Sequence, residues 1–119
     1  MLSAMRRFLL GLLLLFGATA CHGASLEPLP LDIRMTANRA TAAPGDTISF
    51  VATAQGGSLV GVVVDFGDGA EDSFGTFGAR TAQVTFRHAF ASPGAFTVTA
   101  MITDAFAGQK SATVDISVQ

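Results

Sequence analysis

The sequence has no tryptophan and no tyrosine, and all ten of its aromatic residues are phenylalanine. That removes the rings with a polar tip on which sugar faces usually stack. There is one cysteine, Cys21, so no internal disulfide can form and any core must be held by packing. Charge is sparse, at 13% of residues, with seven basic against nine acidic side chains and a formal net charge of −2. Arg6 and Arg7 both fall in the first twenty residues. The rest of the chain is acidic and has no basic stripe to neutralise phosphates, which argues against a nucleic-acid partner. No apolar run approaches the roughly twenty residues of a membrane-spanning helix.

What is present is apolar and rich in turns. Half of the 119 residues are hydrophobic and thirteen are glycine, enough for one domain with its own core. The chain opens with Arg6-Arg7 and the apolar run "FLLGLLLLFGATA", then reaches Cys21. A short basic start, a brief apolar stretch and small residues Ala18 and Ala20 form the pattern of a secretory signal, so residues 1–20 are expected to be cleaved. A cysteine directly after "ATA" resembles the lipobox of bacterial lipoproteins, although that family usually has leucine where Ala18 stands. The resemblance implies acylation of Cys21, attachment to the lipid bilayer and, with His22 rather than aspartate next, sorting to the outer membrane of the cell envelope. Ordinary cleavage near Cys21 or after Gly23-Ala24 is the alternative. Residues 21–30, stiffened by Pro28 and Pro30, read as a short tether.

From Leu31 onward the pattern is that of strands and turns. "LDIRMTA" reads as an edge strand, and "TISFVATA" puts Ile48, Phe50 and Ala52 on one face. "QGGS" is expected to break the chain before "LVGVVVDF", whose continuous apolar run fits a central strand covered on both faces. "TAQVTFRHAF", "FTVTAMITD" and "ATVDISV" all alternate. Pro44-Gly45 and Pro93-Gly94 mark turns. Short strands between frequent turns predict an all-β, antiparallel β-sandwich over residues 31–119.

"VDFGDG", from Val64 to Gly69, followed by "HAFASPGAFTVTAMITDAFAG", from His88 to Gly108, resembles the PKD (polycystic kidney disease) domain. Asp65, Phe66, Gly67, Asp68 and Gly69 match its strand-end motif, and His88, Phe90, Pro93, Gly94, Phe96, Val98 and Asp104 come after it in order. The resemblance implies an immunoglobulin-like β-sandwich. Val64 stands where the family has tryptophan, and Phe96 where it has a tyrosine. Phe96 cannot donate a hydroxyl bond, a loss of about 1 kcal/mol.

The carboxylates of this cluster have two readings. In the first, Gly67 and Gly69 take positive φ in a sharp reversal while Asp65 and Asp68 accept hydrogen bonds from turn N–H groups, and Asp104 is counted with this structural turn motif. In the second, Asp65, Asp68, Glu71 and Asp72, joined by Asp104, bind calcium. The spacing is not that of an EF-hand, because Gly67 and Gly69 occupy its third and fifth positions. The turn reading is preferred, and no cofactor is expected. His88 has no second histidine or cysteine at ligand spacing, and no serine lies in a G-x-S-x-G setting. Phe74 and Phe77, in "SFGTFGAR", either cover an open side of the sandwich or form a contact surface for a partner.

The expected function is therefore that of a non-enzymatic lipoprotein whose domain binds an unidentified envelope protein. The alternative is a carbohydrate-binding module, disfavoured by the missing tryptophan and tyrosine.

Overall fold

The computed structural model describes residues 29–119. The proposed signal segment, Cys21 and His22 lie outside them. Six strands run in order: β1 (Asp32–Ala37), β2 (Thr41–Ala42), β3 (Thr47–Asp65), β4 (Glu71–Ala89), β5 (Gly94–Asp104) and β6 (Gly108–Val118). No helix occurs among the described residues, and the fold is all-β.

The expected break at Gln55–Ser58 is absent. β3 and β4 are 19 residues each and pair with one another along most of their length. Their pairing changes register between Gln55 and Leu59 and again between Leu59 and Gly61. Each irregularity re-aims the strand without ending it. Before the corner, inward residues of β3 are even-numbered: Ile48, Phe50, Ala52 and Ala54. At the corner Leu59 points in, and beyond it Val62 and Val64 restore the even phase. The glycines read as a breaker thus make a corner, and the ladder continues around it.

The corner divides one hydrogen-bonded sheet into two facing layers. The first half of β3 lies between β1 and the second half of β4, with Ala52 opposite both Met35 and Val84. The second half lies between the first half of β4 and β5, so Val64 faces Asp72 on one side and Ala100 on the other. β6 continues the sheet from β5, and β2 closes it. The expected pair of separate sheets is therefore one curled sheet, because β3 and β4 belong to both layers. Nor is pairing wholly antiparallel: Thr41 and Ala42 run parallel to Ser117 and Val118 of β6.

Between the layers sits a single apolar cluster, in which Ile48, Leu59, Val64, Val98, Ala100 and Ile102 are fully enclosed. The alternation read in β4, β5 and β6 holds at Val84, Phe86, Val98, Ile102, Ile116 and Val118. The run from Leu59 to Phe66 is not covered on both faces. Val60 and Val63 are 54% and 38% exposed, because none of the described residues packs on that outer surface.

The corner has little space to spare. A Cβ added to Gly56 would lie 2.7 Å from Asp104 Oδ1 and 2.8 Å from Leu59 Cδ2. Gly56→Ala should cost about 2 kcal/mol by overpacking, read as a lower urea midpoint with unchanged slope. A neutral result would show that the corner relaxes freely.

Candidate functional site

The sequence motif divides between opposite ends of the domain. At one end, the β3–β4 turn is closed by Phe66 N–H donating to the Ala70 carbonyl at 3.0 Å. Asp65 Oδ1 accepts from Gly67 N at 2.8 Å, and Asp68 Oδ1 accepts from Ala70 N at 3.0 Å. Gly67 and Gly69 have φ of 80° and 93°, which side-chain-bearing residues resist. Their settings differ: a Cβ on Gly67 would stand 2.6 Å from the Thr97 carbonyl oxygen, whereas one on Gly69 would meet nothing within 4 Å.

His88 ties this turn to the core. Its Nε2 lies 2.6 Å from Asp68 Oδ2. The imidazole stacks on Phe66 at 4.1 Å and 9°, and meets the edge of Phe90 at 4.7 Å. Phe90 stacks in turn on Phe96 at 4.6 Å, so Phe96 joins a file of rings where a tyrosine would offer a hydroxyl. Phe50 completes the file against Phe66 at 5.7 Å. Such pairs add about 0.5–1.5 kcal/mol beyond their area. Desolvation would raise the Asp68 carboxyl, but the His88 and Ala70 hydrogen bonds outweigh it and hold it below its ordinary range.

Asp104 belongs to the other end. Asp65 pairs with Thr99, and from Thr99 to Asp104 is about 17 Å of strand, so Asp104 cannot join the acids of the β3–β4 turn. It is almost fully buried. Oδ1 accepts from Ser58 N at 2.6 Å, while Oδ2 accepts from Phe106 N and Ala107 N, each at 2.9 Å. These donors, the Ser58 amide first, lower its pKa. One carboxylate thus fastens the β3 corner to the β5–β6 hairpin.

The remaining acids do not converge. Glu71 stands opposite Asp65 across the ladder, and Asp72 Oδ1 accepts from the next amide, Ser73 N, at 2.8 Å. Among the described residues, no group of three histidine, cysteine, aspartate or glutamate side chains is placed to hold a metal ion.

Phe74 and Phe77 do not form one patch. Phe74 is 53% exposed and opposes Val62, so it projects on the inner side at the open margin of the layer. Gly75 projects the opposite way, and there the Phe77 ring sits: a Cβ on Gly75 would be 3.2 Å from Phe77 Cζ. Phe77 is 96% exposed and has φ of 51°, strained for an aromatic residue. Sequence reasoning missed Phe106, 81% exposed at the tip of the β5–β6 hairpin. A phenylalanine inside the turn "DAFAG" was the available signal.

A family model described as "PKD domain" matches residues 32–118. Among solved structures, the PKD domain of an M14-like peptidase from a Thermoplasmatales archaeon superposes with a TM-score of 0.66 at 18% identity, covering 77% of this chain and 98% of that one. The PKD domain of the human VPS10 domain-containing receptor SorCS2 gives 0.52 at 22% identity, covering 77% and 74%. A CARDB domain from Pyrococcus furiosus, solved with two metal ions, gives 0.54 at 15% identity, covering 76% and 93%. At these identities the likeness is one of fold. No curated protein matches.

Two measurements check these roles. Gly67→Ala should cost about 3 kcal/mol, from positive φ plus collision with the Thr97 carbonyl, and Gly69→Ala only about 1 kcal/mol. Equal costs in denaturant titration would contradict the tight approach at Gly67. A carboxyl whose folded pKa lies below its ordinary 3.8 stabilises the fold above that value, and this contribution disappears as pH falls through the folded pKa. Between about pH 5 and about pH 2, the melting temperature of the wild type should therefore fall more steeply than that of Asp104→Asn. Parallel curves would remove Asp104 from acid stability.

Proposed function

Since the chain belongs to the PKD domain family, whose model spans nearly all of the described residues, we propose that it is a non-enzymatic lipoprotein of the bacterial cell envelope. Acylated Cys21 anchors it, most naturally in the outer membrane, and the domain binds another envelope protein in the periplasm or at the cell surface. Cys21 lies outside the described residues, and the support for the anchor is the sequence pattern around it.

The observation that carries the binding reading is the margin formed by Glu71–Gly75. Among the described residues this segment pairs with β3 on one side only. Its other side, beside the half-exposed Phe74, then offers backbone groups not paired by any described strand, the means by which an extended peptide joins a sheet and docks alternate side chains. Its two acids, Glu71 and Asp72, discourage pairing between copies of the same acidic strand and favour a partner with basic residues. The non-enzymatic reading rests on membership of the PKD domain family.

A photo-crosslinking phenylalanine analogue at position 74 should capture one envelope protein in living cells, and the same analogue at Ser92 should not. Equal capture from both positions, or none from 74, would remove the Phe74 margin as the contact. Separately, a clickable palmitate analogue should label the wild type and leave Cys21→Ala unlabelled. Equal labelling of both would reject the anchor.

A further inference from the structure

The ends of the domain differ in more than their turns. Leu29 and Pro30 lie at the corner end: Asp32 pairs with Gln55, and Gln55 Nε2 donates to the Pro30 carbonyl at 3.1 Å. The β5–β6 hairpin meets the same corner, with Ala105 N donating to the Ser58 carbonyl at 2.9 Å. The irregular stretch of β4 joins them, since a Cβ on Gly78 would lie 3.4 Å from Ser58 Oγ. The exposed apolar side chains Leu29, Val60, Phe77 and Phe106 all come from these segments.

Holding Phe77 outward opposes local stability. It adopts positive φ, and the buried hydroxyl of its neighbour Thr76 has no hydrogen-bond partner among the described residues. Each feature is of a kind that disfavours the fold unless something compensates.

Charge divides along the same axis. Among the described residues, Arg34, Arg80 and Lys110 stand against Asp32 and Asp104 in the corner half, and Glu27 precedes Leu29 in the tether. Asp46, Asp65, Asp68, Glu71, Asp72 and Asp115 stand against Arg39 and Arg87 in the other half. The apolar end is therefore the one an anionic bilayer surface would not repel.

We propose that the corner end of the domain is seated on the lipid bilayer, with the rings of Phe77 and Phe106 at the boundary between headgroups and acyl chains. Reach, apolar exposure and charge together argue for this occupant. Seven residues lie between Cys21 and Leu29, and the chain from one to the other spans at most about 28 Å. β5, running the length of the domain, has 11 residues and is about 34 Å long. A chain anchored at Cys21 and emerging at the corner cannot stand the domain on its acidic turn end. The Phe74 margin runs up the side and remains open to a protein. This geometry rests on the anchored reading proposed above, whereas the affinity of the rings for lipid does not.

The absence of tryptophan supplies the test. Phe77→Trp, Phe106→Trp and, at the acidic end, Ser92→Trp each place a single reporter in the full chain. The proteins are reconstituted with vesicles of phosphatidylethanolamine and phosphatidylglycerol containing brominated acyl chains, and Cys21 acylation is scored separately by mass spectrometry. The expected result is blue-shifted, quenched emission from positions 77 and 106 and unquenched emission from 92. With soluble protein, Phe77→Ser and Phe106→Ser should each weaken vesicle partitioning about tenfold, as partial burial of one ring implies. Acylated protein with unquenched reporters at 77 and 106 would overturn the seating while leaving the anchor intact. Quenching at both positions in protein without acylation would uphold the seating and discard the anchor. Shielding of position 77 by a protein, with no quenching by lipid, would also overturn it.

Discussion

The domain is fastened at one end by a single buried carboxylate. Asp104 takes hydrogen bonds from Ser58, Phe106 and Ala107, and so ties the place where β3 changes layer to the place where β5 turns into β6. Both segments leave the regular ladder there, and their amides would otherwise lack acceptors. Water is a poor substitute at a nearly enclosed site. The close fit of Gly56 and Leu59 around the same oxygen is a result of this arrangement: the corner is tight because it folds around an anion.

The other end is organised by rings. Phe50, Phe66, His88, Phe90 and Phe96 succeed one another in contact, and His88 extends the file to Asp68 in the β3–β4 turn. This is how a PKD domain without tryptophan or tyrosine fills its base. Val64 is fully enclosed in the apolar core where the family has tryptophan, and Phe96 stacks on Phe90 where the family has tyrosine. The aspartates at this end are engaged with nearby amides and with His88, so the motif that looks most chemical in the sequence is largely occupied by the backbone and the ring file.

Much of the fold was legible because alternation is a local signal. The inward residues of β4, β5 and β6 could be read directly, as could the glycines of the turns. Three things were not legible, each for a physical reason. Whether a glycine pair ends a strand or bends it depends on whether the neighbouring strand bends in concert, and "QGGS" carries no record of Ala79 and its neighbours. Whether an apolar run is covered on both faces depends on what packs above it, and nothing marks Val60 and Val63 as facing outward. The two-residue β2 has no period to detect, and its parallel pairing with β6 is decided wholly by tertiary contact. At the site, Asp65 and Asp104 looked like members of one set because their motif orders them in sequence. Only the register separates them by the length of a strand.

The continuity of β3 and β4 through the corner has a consequence for how the domain comes apart. In an assembly of two independent sheets, one layer can fray while the other persists. Here β3 is the inner strand of both layers, between β1 and β4 in the first and between β4 and β5 in the second, so removing it leaves both layers without a centre. The domain should therefore behave as one cooperative foldon: its slowest-exchanging amides in the two layers share a single opening event, and no half-melted form survives as a stable species.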